Sequence, residues 1–337
     1  MSNSIALPIS ESSQVGEARR KAIAFASRLG FNETARGKVG LVVTEVANNL
    51  AQHAQDGVLV LQSLEKNNIA GVEILALDKG PGFDNIKECL QDGFSTAGTS
   101  GTGLGAMMRL SNFFDIYSLP QVGTAILAHL WASPLPLNQP RDNLQLGAVY
   151  LPKTGEEVSG DAWASAHSDH RSLLLVADGL GHGPHAANAS LEAVRIFREN
   201  LHRSPKEIIE IAHAALRKTR GAAVAIALID FEHQTVCFAG VGNIAATILS
   251  TERNRSLVSH NGTVGHEVRK IQEFIYPWPK GGLLVMHSDG LGTQWRLDRY
   301  PGLFTRHPSL IAGVLYRDFK RGRDDVAVLV AREENLP

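Results

Sequence analysis

A proline-rich segment in the middle of the chain divides it into two parts. Residues 133–140 read SPLPLNQP, and a run with so many prolines continues neither a helix nor a central strand. An apolar run precedes the segment and a polar stretch follows it, so we place a domain boundary there. The two parts, of about 130 and about 195 residues, each have the usual size of one domain.

The composition excludes several classes of protein. Hydrophobic residues make up 44% and charged residues 20% of the chain, as in globular rather than disordered or fibrous proteins. The net charge of −1 excludes binding to nucleic acid or to an anionic membrane that is driven mainly by electrostatic attraction. There are two cysteines, Cys89 and Cys237, and we find no signal peptide and no membrane-spanning run. These features predict a cytoplasmic protein with no nucleic-acid or membrane partner.

The first part combines helical and strand patterns. Apolar residues at helical spacing predict helices near 15–29, 34–54 and 103–111. Apolar runs separated by turn residues predict two hairpins, formed by 58–64, 71–78, 113–118 and 123–131. This order of elements predicts a helix layer on one mixed or antiparallel sheet.

The second part is richer in strands. It has two predicted helices, one over about 185–202 and one that follows Ser204-Pro205-Lys206-Glu207, a capping-box sequence with proline at the first helical position. The predicted strands are 146–150, 160–167, 172–177, 223–230, 234–240, 244–250, 270–276, 283–287 and 325–331. The pattern favours a two-layered sheet flanked by helices, so the whole chain is of the α+β class.

Three short motifs in the first part contain residues suited to nucleotide binding. Glu45 and Asn49 lie one turn apart on the polar face of the second helix, which alone is typical of a solvated surface. Asp78 ends an apolar strand just before Gly80 and Gly82, which alone is typical of a turn. Further along, glycines precede a helix and would let the backbone approach phosphates; they are Gly101, Gly103 and Gly105.

In this order, and with Gly123-Thr124 in the last strand, the motifs resemble the GHKL ATPase/kinase superfamily over most of residues 10–131. The stretch around Glu45 and Asn49 most resembles the switch serine kinases of stressosomes. The resemblance implies a kinase domain over 10–132, an α/β sandwich with a helix layer on a mixed sheet, followed by a linker over 133–145.

The same resemblance implies roles for these residues. Glu45 would be the general base, and Asn49 would hold the Mg²⁺ that bridges the phosphates of ATP. Asp78 would accept a hydrogen bond from adenine, with help from Thr124. A lid between about 83 and 100 would close over the nucleotide, and the glycines would contact it: Gly80, Gly82, Gly101, Gly103 and Gly105.

Aspartates at strand ends or in turns form the second pattern. Asp161, Asp178, Asp289 and the pair Asp324-Asp325 each lie beside an apolar strand. Any one of them is typical of a turn. Several aspartates at one site would repel each other unless a cation neutralised them, and carboxylates without His or Cys suit Mg²⁺ or Mn²⁺.

These motifs resemble the 2C-type metal-dependent protein phosphatases, in the branch of sporulation stage II protein E. The string from Asp178 to Ala187, DGLGHGPHAA, is the most specific part. Thr219-Arg220-Gly221 and Gly240-Val241-Gly242-Asn243 look most like the phosphatase that resets the stressosome. The resemblance implies a β-sandwich flanked by helices, and a phosphatase domain over 146–332.

The resemblance also implies a ligand set for two Mn²⁺ or Mg²⁺ ions. Asp178 would bridge the ions, the Gly179 carbonyl would support one, and Asp289 and Asp324 would complete the other. Asp161 would add a ligand nearby, and Asp325 is the weaker choice of its pair. No arginine precedes Asp161 at the position where eukaryotic relatives hold phosphate, so the phosphate contact stays open.

Two histidines of the glycine-rich loop, His182 and His185, are either surface residues or proton donors to the leaving serine oxygen. The other histidines lack metal-ligand spacing, and Cys237 lies in an apolar strand as a small buried hydrophobe.

The leading hypothesis is a bifunctional regulator of partner switching. Its first domain would phosphorylate a serine or threonine of a STAS-domain antagonist protein with ATP, and its second would remove that phosphate. The alternative is an ATP-gated module that binds a sigma factor or another regulator, fused to an active phosphatase. A third hypothesis, a metal-free phosphatase-like scaffold, is disfavoured because every aspartate position is filled.

Overall fold

The computed structural model describes residues 4–83, 85, 103–136, 143–168 and 170–334. The chain divides by its contacts into two compact units. The first comprises Met1–Gln139 and Arg296–Arg317, and the second comprises Pro140–Trp295 and Asp318–Pro337. The predicted lid and residues 137–142 of the predicted linker lie largely or wholly outside the described residues, as does Cys89.

Three helices cover one face of the first unit. They are α1 (Ser13–Arg28), α2 (Glu33–His53) and α3 (Gly103–Leu110). Asn32 begins α2, because its side chain accepts a hydrogen bond from the Ala35 N–H at 2.9 Å. The predicted apolar stripe of α2 is buried against the sheet, with Val39, Val42, Val43 and Val46 all fully inside.

The sheet of the first unit has five strands in the order β1-β2-β3-β5-β4. Each pairing is antiparallel, so the sheet is antiparallel rather than mixed, because successive strands are joined as hairpins or by returning connections. The strands are β1 (Ser4–Pro8), β2 (Val58–Lys66), β3 (Ile69–Leu77), β4 (Phe113–Leu119) and β5 (Gly123–Trp131). The sequence patterns predicted both hairpins but not β1.

The other face of this sheet is covered by residues from much later in the chain. Helix α6 (Pro308–Phe319) brings Gly313 so close to Leu75 and Leu77 that a Cβ there would lie 2.8 and 3.0 Å from their methyl groups. Residues 296–317 therefore pack with the first unit, although the sequence placed them within the second domain. The reason is that β3 is apolar on both faces and needs a second covering layer.

The second unit is a sandwich of two five-stranded antiparallel sheets, ordered β13-β10-β9-β8-β7 and β12-β11-β14-β15-β6. A core of apolar side chains from both sheets lies between them. The strands are β6 (Leu144–Leu151), β7 (Asp161–His167), β8 (Arg171–Gly179), β9 (Ala222–Asp230), β10 (Thr235–Val241), β11 (Ala245–Leu249), β12 (Arg255–Ser256), β13 (Phe274–Pro277), β14 (Leu283–His287) and β15 (Val326–Glu333).

Helices α4 (Pro184–Glu199) and α5 (Pro205–Ala215) cover the outer face of the first of these sheets. The predicted capping box is present: the Ser204 hydroxyl accepts from the Glu207 N–H, and the Glu207 carboxylate accepts from the Ser204 N–H. The predicted sandwich flanked by helices is confirmed. Within the described residues, no helix is both long and apolar enough to cross a bilayer.

Candidate active sites

The first candidate site lies where α2 meets the start of α3. Glu45 and Asn49 are half-buried on one side of α2. A Cβ on Gly103, the first residue of α3, would lie 3.0 Å from Glu45 Oε2. The sequence motifs around Glu45 and Gly103 are far apart in the chain, and the structure brings them into contact.

Asp78 directly follows β3. Its Oδ1 accepts hydrogen bonds from the N–H of Gly80 at 2.7 Å and of Thr124 at 3.3 Å. Among the described residues, no donor contacts Oδ2, which leaves that oxygen available to a ligand such as the adenine amino group. Burial raises the pKa of Asp78, although the two backbone hydrogen bonds oppose the rise.

The backbone around Asp78 is packed so tightly that glycine is required beside it. Gly123 has φ +129°, and a Cβ there would collide with the Asp78 carbonyl oxygen. Gly82 has φ +72°, and a Cβ there would lie 2.5 Å from the Leu119 carbonyl oxygen. Thr124 is buried, and its hydroxyl shares a hydrogen bond of 2.9 Å with the Ser118 hydroxyl.

Gly80 lies against α2, since a Cβ there would be 2.7 Å from the His53 carbonyl oxygen. Gly105 is buried in α3, while Gly101 lies outside the described residues. Seven of the eight predicted nucleotide-binding residues are described by the structure. Asn49 lies in α2, Gly103 and Gly105 lie in α3, Thr124 lies in β5, and Asp78, Gly80 and Gly82 lie in the segment that follows β3. Their roles as ligands stay predictions.

The second candidate site lies where β7 begins and β8 ends. Asp161 pairs with Asp178 across the two strands, so both carboxylates occupy the same end of the sheet. Asp161 is buried, and its Oδ2 accepts a hydrogen bond from the Ser288 hydroxyl at 2.6 Å. Gly179 is buried too, because a Cβ there would collide with the Ala186 backbone of α4.

The remaining aspartates come from turns that follow β14 and precede β15. Asp289 accepts a hydrogen bond from the Asn243 side-chain amide at 2.6 Å, and Asp324 is exposed. Asp325 is buried and is held by backbone N–H groups, Lys153 at 2.7 Å and Gly160 at 2.8 Å. Each oxygen of Asp325 therefore already accepts one hydrogen bond, and its rank below Asp324 as a ligand stays a prediction.

Mutual repulsion and burial dominate the electrostatics of this site. Burial, followed by the charges of Asp289 and Asp324, raises the pKa of Asp178 to about 7. Burial and then the charge of Asp178 raise the pKa of Asp161 well above its usual range. Carboxylates that are this costly to ionise together form a site that a cation would stabilise.

The residues of this site suit a hard divalent cation whose coordination is completed by water molecules. In the part of the chain that the structure describes, no group of three His, Cys, Asp or Glu side chains is tight enough to hold an ion alone. Mg²⁺ and similar ions keep several waters and take one or two carboxylates, with backbone carbonyls as further ligands. Asp178, Asp289, Asp324 and the Gly179 carbonyl suit that mode.

The loop between β8 and α4 carries polar side chains on two sides. His182 Nδ1 and Glu156 Oε1 are 2.6 Å apart, so this histidine is paired rather than solitary. On the other side, Arg220 Nη1 lies 3.1 Å from the position that a Cβ on Gly181 would take. Arg220 is exposed and has no hydrogen bond or ion pair with any residue that the structure describes. Sequence reasoning noted its motif but gave it no role.

Comparisons with known proteins identify both parts of the chain. Residues 9–128 match the model of the histidine kinase-like ATPase domain, and residues 168–334 match that of stage II sporulation protein E (SpoIIE). The serine/threonine-protein kinase RsbT of Bacillus subtilis (strain 168) is 33% identical over 106 residues, which cover 32% of this chain and 80% of RsbT. The phosphoserine phosphatase RsbX of the same bacterium is 30% identical over 153 residues, 44% of this chain and 76% of RsbX.

Two solved structures each match somewhat more than half of the chain. A structure from a study of the bacterial stressosome as a modular system matches with a TM-score of 0.53 and 29% identity, over 56% of this chain and 99% of its own. The crystal structure of RsbX in complex with magnesium matches in fold, with a TM-score of 0.52 and 21% identity over 58% of this chain and 98% of its own. The chain thus belongs in its first part to the family of the RsbT kinase, with its histidine kinase-like ATPase domain, and in its second part to the SpoIIE family of 2C-type serine/threonine phosphatases, together with RsbX.

Proposed function

We propose that this protein both adds phosphate to, and removes it from, a serine or threonine of a STAS-domain antagonist protein, so that one chain sets the state of a partner switch. The observation that carries the proposal is the presence in one chain of two groups of residues that suit phosphate chemistry. One comprises Glu45 with Gly103 close to it, together with Asp78, and the other is the carboxylate cluster around Asp178. Two sites on one chain give each a high effective concentration on a shared partner.

In the kinase reaction, Glu45 takes the proton of the serine hydroxyl as its oxygen attacks the γ-phosphorus of ATP, and ADP leaves. Asn49, one turn further along α2, would hold the Mg²⁺ that accompanies ATP. Oδ2 of Asp78 would accept a hydrogen bond from the adenine amino group. The proximity of Gly103 to Glu45 supports these roles, because a helix N-terminus, whose unpaired backbone N–H groups favour anions, then lies beside the proposed general base.

For the phosphatase reaction, the residues that would hold two divalent ions, Mn²⁺ or Mg²⁺, are Asp178, Asp289, Asp324 and the Gly179 carbonyl, with Asp161 as a further ligand nearby. Such ions activate water for attack on phosphorus and neutralise the phosphoryl group. The raised pKa values of Asp161 and Asp178 support this assignment. Ser288 and Asn243 orient the carboxylates of Asp161 and Asp289 through their hydrogen bonds.

We also propose a residue for the phosphate contact that the sequence left open, namely Arg220. Its guanidinium lies beside the loop that follows Asp178, and it has no partner among the described residues. A planar fork of N–H donors suits a phosphoryl group. We therefore assign Arg220 to hold the substrate phosphate during hydrolysis.

Two variants of the full chain separate the activities. Asp178→Asn blocks dephosphorylation, so radiolabelled phosphate from ATP is expected to accumulate on a purified STAS-domain protein from the same organism. Glu45→Gln blocks transfer, so that it forms no phosphoprotein but still dephosphorylates one prepared beforehand, in the presence of Mn²⁺.

The same experiment decides between catalysis and binding. If Asp178→Asn binds the STAS protein or a sigma factor in an ATP-dependent manner but transfers no label, the first domain is a nucleotide-gated binding module. If Asp178→Asn dephosphorylates as fast as the unaltered chain, the metal assignment is wrong.

A further inference from the structure

One segment of the first unit comes from the phosphatase-family region of the sequence. Residues 296–317 fall inside the SpoIIE match of 168–334, yet they pack with the kinase-like unit. Within this segment every residue from Pro308 to Arg317 is buried. A helix that is buried on all sides forms part of a folded core rather than an attachment to the surface.

A buried carboxylate anchors the middle of the segment. Glu73 of β3 is 2% exposed, and its Oε2 accepts a hydrogen bond from the Ser309 hydroxyl at 2.6 Å. The same oxygen lies 2.9 Å from His129 Nε2, and Oε1 accepts from the Gln62 amide at 2.7 Å. Because an unpaired buried carboxylate is costly, this network strongly favours Ser309 at that position.

A second contact fixes the beginning of α6. Arg306 forms an ion pair of 3.0 Å with Asp115 of β4, and the His307 N–H donates to the other oxygen of Asp115 at 3.2 Å. The His307 ring lies 5.0 Å from the ring of Phe113 and 5.1 Å from that of His129. The segment is therefore tied to three strands of the sheet.

The last contact reaches the nucleotide site itself. Arg317, which is 5% exposed, donates from Nη1 to the carbonyl oxygen of Asp78 at 2.9 Å. That carbonyl also accepts from the Thr124 N–H at 3.2 Å, and the Asp78 N–H donates to the Thr124 carbonyl at 2.9 Å. Arg317 thus helps to fix the strand end from which the Asp78 side chain projects.

We propose that residues 296–317 form a strap that couples nucleotide binding to the phosphatase site, with Arg317 as the residue that positions Asp78. The strap rests on the proposed function, since it assumes that adenine binds at Asp78. Its far end is covalently continuous with the phosphatase site: residues 318–323 lead directly from Arg317 to Asp324, a proposed metal ligand.

Coupling through this strap acts in both directions. Nucleotide bound at Asp78 favours the arrangement in which Arg317 holds the Asp78 carbonyl, and so biases the chain that carries Asp324. By linkage, the state of Asp324 biases nucleotide affinity by the same factor. The two activities of the chain therefore respond to the same ligand rather than running independently.

The test uses the full chain and ADP, which occupies the nucleotide site without driving transfer. Binding is followed with a fluorescent ADP analogue, and phosphatase activity with p-nitrophenyl phosphate and Mn²⁺, with and without saturating ADP. Arg317→Ala removes the contact with Asp78. Arg299→Ala is the matched control, because it removes an exposed arginine of the same segment that makes none of the contacts described above.

We expect ADP to change the phosphatase rate of the unaltered chain and of Arg299→Ala by at least about threefold. Arg317→Ala is expected to bind the analogue about five- to tenfold more weakly, as for the loss of one charge-assisted hydrogen bond, and to lose the response to ADP. Arg317→Lys, which keeps a donor, is expected to recover part of both.

Three results would refute the proposal that residues 296–317 couple nucleotide binding to the phosphatase site. One is an unaltered chain that binds ADP without any change in phosphatase rate. The others are an Arg317→Ala variant that keeps the full response, and equal ADP affinities for Arg317→Ala and Arg299→Ala. If neither Arg317 variant folds, the ADP response of the unaltered chain decides. Failure of the unaltered chain to bind ADP at all would instead refute the proposed kinase site.

Discussion

Replacing Asp178 with asparagine is expected to inactivate the phosphatase and, at the same time, to stabilise the metal-free protein. The reason is the cost of ionising this carboxyl in the folded state. Burial and the neighbouring charges of Asp289 and Asp324 raise its pKa from 3.8 to about 7. Above pH 7 the folded protein must therefore hold a charge that the unfolded chain accommodates freely.

The sign follows from the direction of the shift. A carboxyl with a raised pKa favours folding while it is protonated in the native state, and that contribution is lost as the pH rises towards and through about 7. A rise of this size corresponds to about 4 kcal/mol. Because Asp161 titrates together with Asp178 and the site relaxes when one charge is removed, we expect about half of that, roughly 2 kcal/mol, from the substitution.

The assay is thermal unfolding in EDTA at pH 8, followed by circular dichroism. Asp178→Asn is expected to raise the Tm of the second unit by about 4–8 °C, at roughly 2–4 °C per kcal/mol. With Mn²⁺ the order should reverse, because the ion stabilises the unaltered site by mass action and the variant lacks a ligand. Asp298→Asn, an exposed residue paired with Arg296 at 2.7 Å, is the matched control and should change little in either condition.

A lower or unchanged Tm for Asp178→Asn in EDTA would refute this reasoning. It would mean that the carboxylates do not repel each other strongly in the folded protein, and the main support for a cation site would be lost.

Three further predictions concern single side chains. Gly123→Ala should cost about 2 kcal/mol or more of unfolding free energy and weaken binding of an ADP analogue, whereas Gly155→Ala, also at positive φ but with open space around it, should cost about 1 kcal/mol and leave binding intact. Glu73→Gln should reduce the loss of stability on acidification in urea titrations at pH 3–6. Burial raises the pKa of Glu73, but hydrogen bonds from a histidine and a serine outweigh it, so its contribution is present above pH 4.5 and lost as the pH falls. Arg220→Ala should raise the KM for a phosphorylated substrate about tenfold with a smaller effect on kcat, while Arg217→Ala, exposed on the same connection, should leave both unchanged.

Local patterns predicted most of the elements that carry the two sites. The valine stripe of α2 faces the sheet, as the helical spacing of Val39, Val42 and Val46 indicated. The capping-box sequence begins α5 at Ser204. Strand–Asp–Gly patterns placed Asp178 and Asp289 at strand ends. In each case the signal is contained in a short window whose periodicity or turn chemistry fixes the local conformation.

Helix α6 escaped prediction because its sequence carries none of these signals. Residues 308–317 read PSLIAGVLYR, and a helix that is buried on every side shows no polar stripe against which an apolar stripe can be recognised. Gly313 weakens its helical propensity further. Packing explains this glycine, because Leu75 and Leu77 lie against it and leave no room for a side chain.

Local sequence patterns could not predict the contact between Arg317 and Asp78 either, because the two residues are far apart in the chain. The contact shows that a boundary at 133–145 does not separate all residues of the first unit from those of the second. Sequence division at 133–145 treats the two activities as separable pieces, and the two family models match separate stretches, 9–128 and 168–334. The structure gives the kinase-like unit a covering layer from within the phosphatase-family sequence, with polar bonds to Glu73, Asp115 and Asp78. A fragment ending near residue 139 would expose the apolar face of β3 and leave Glu73 without its serine partner. The two parts are therefore linked in one chain for a reason beyond their proximity. The first unit lacks part of its covering layer until the residues after 295 have been made.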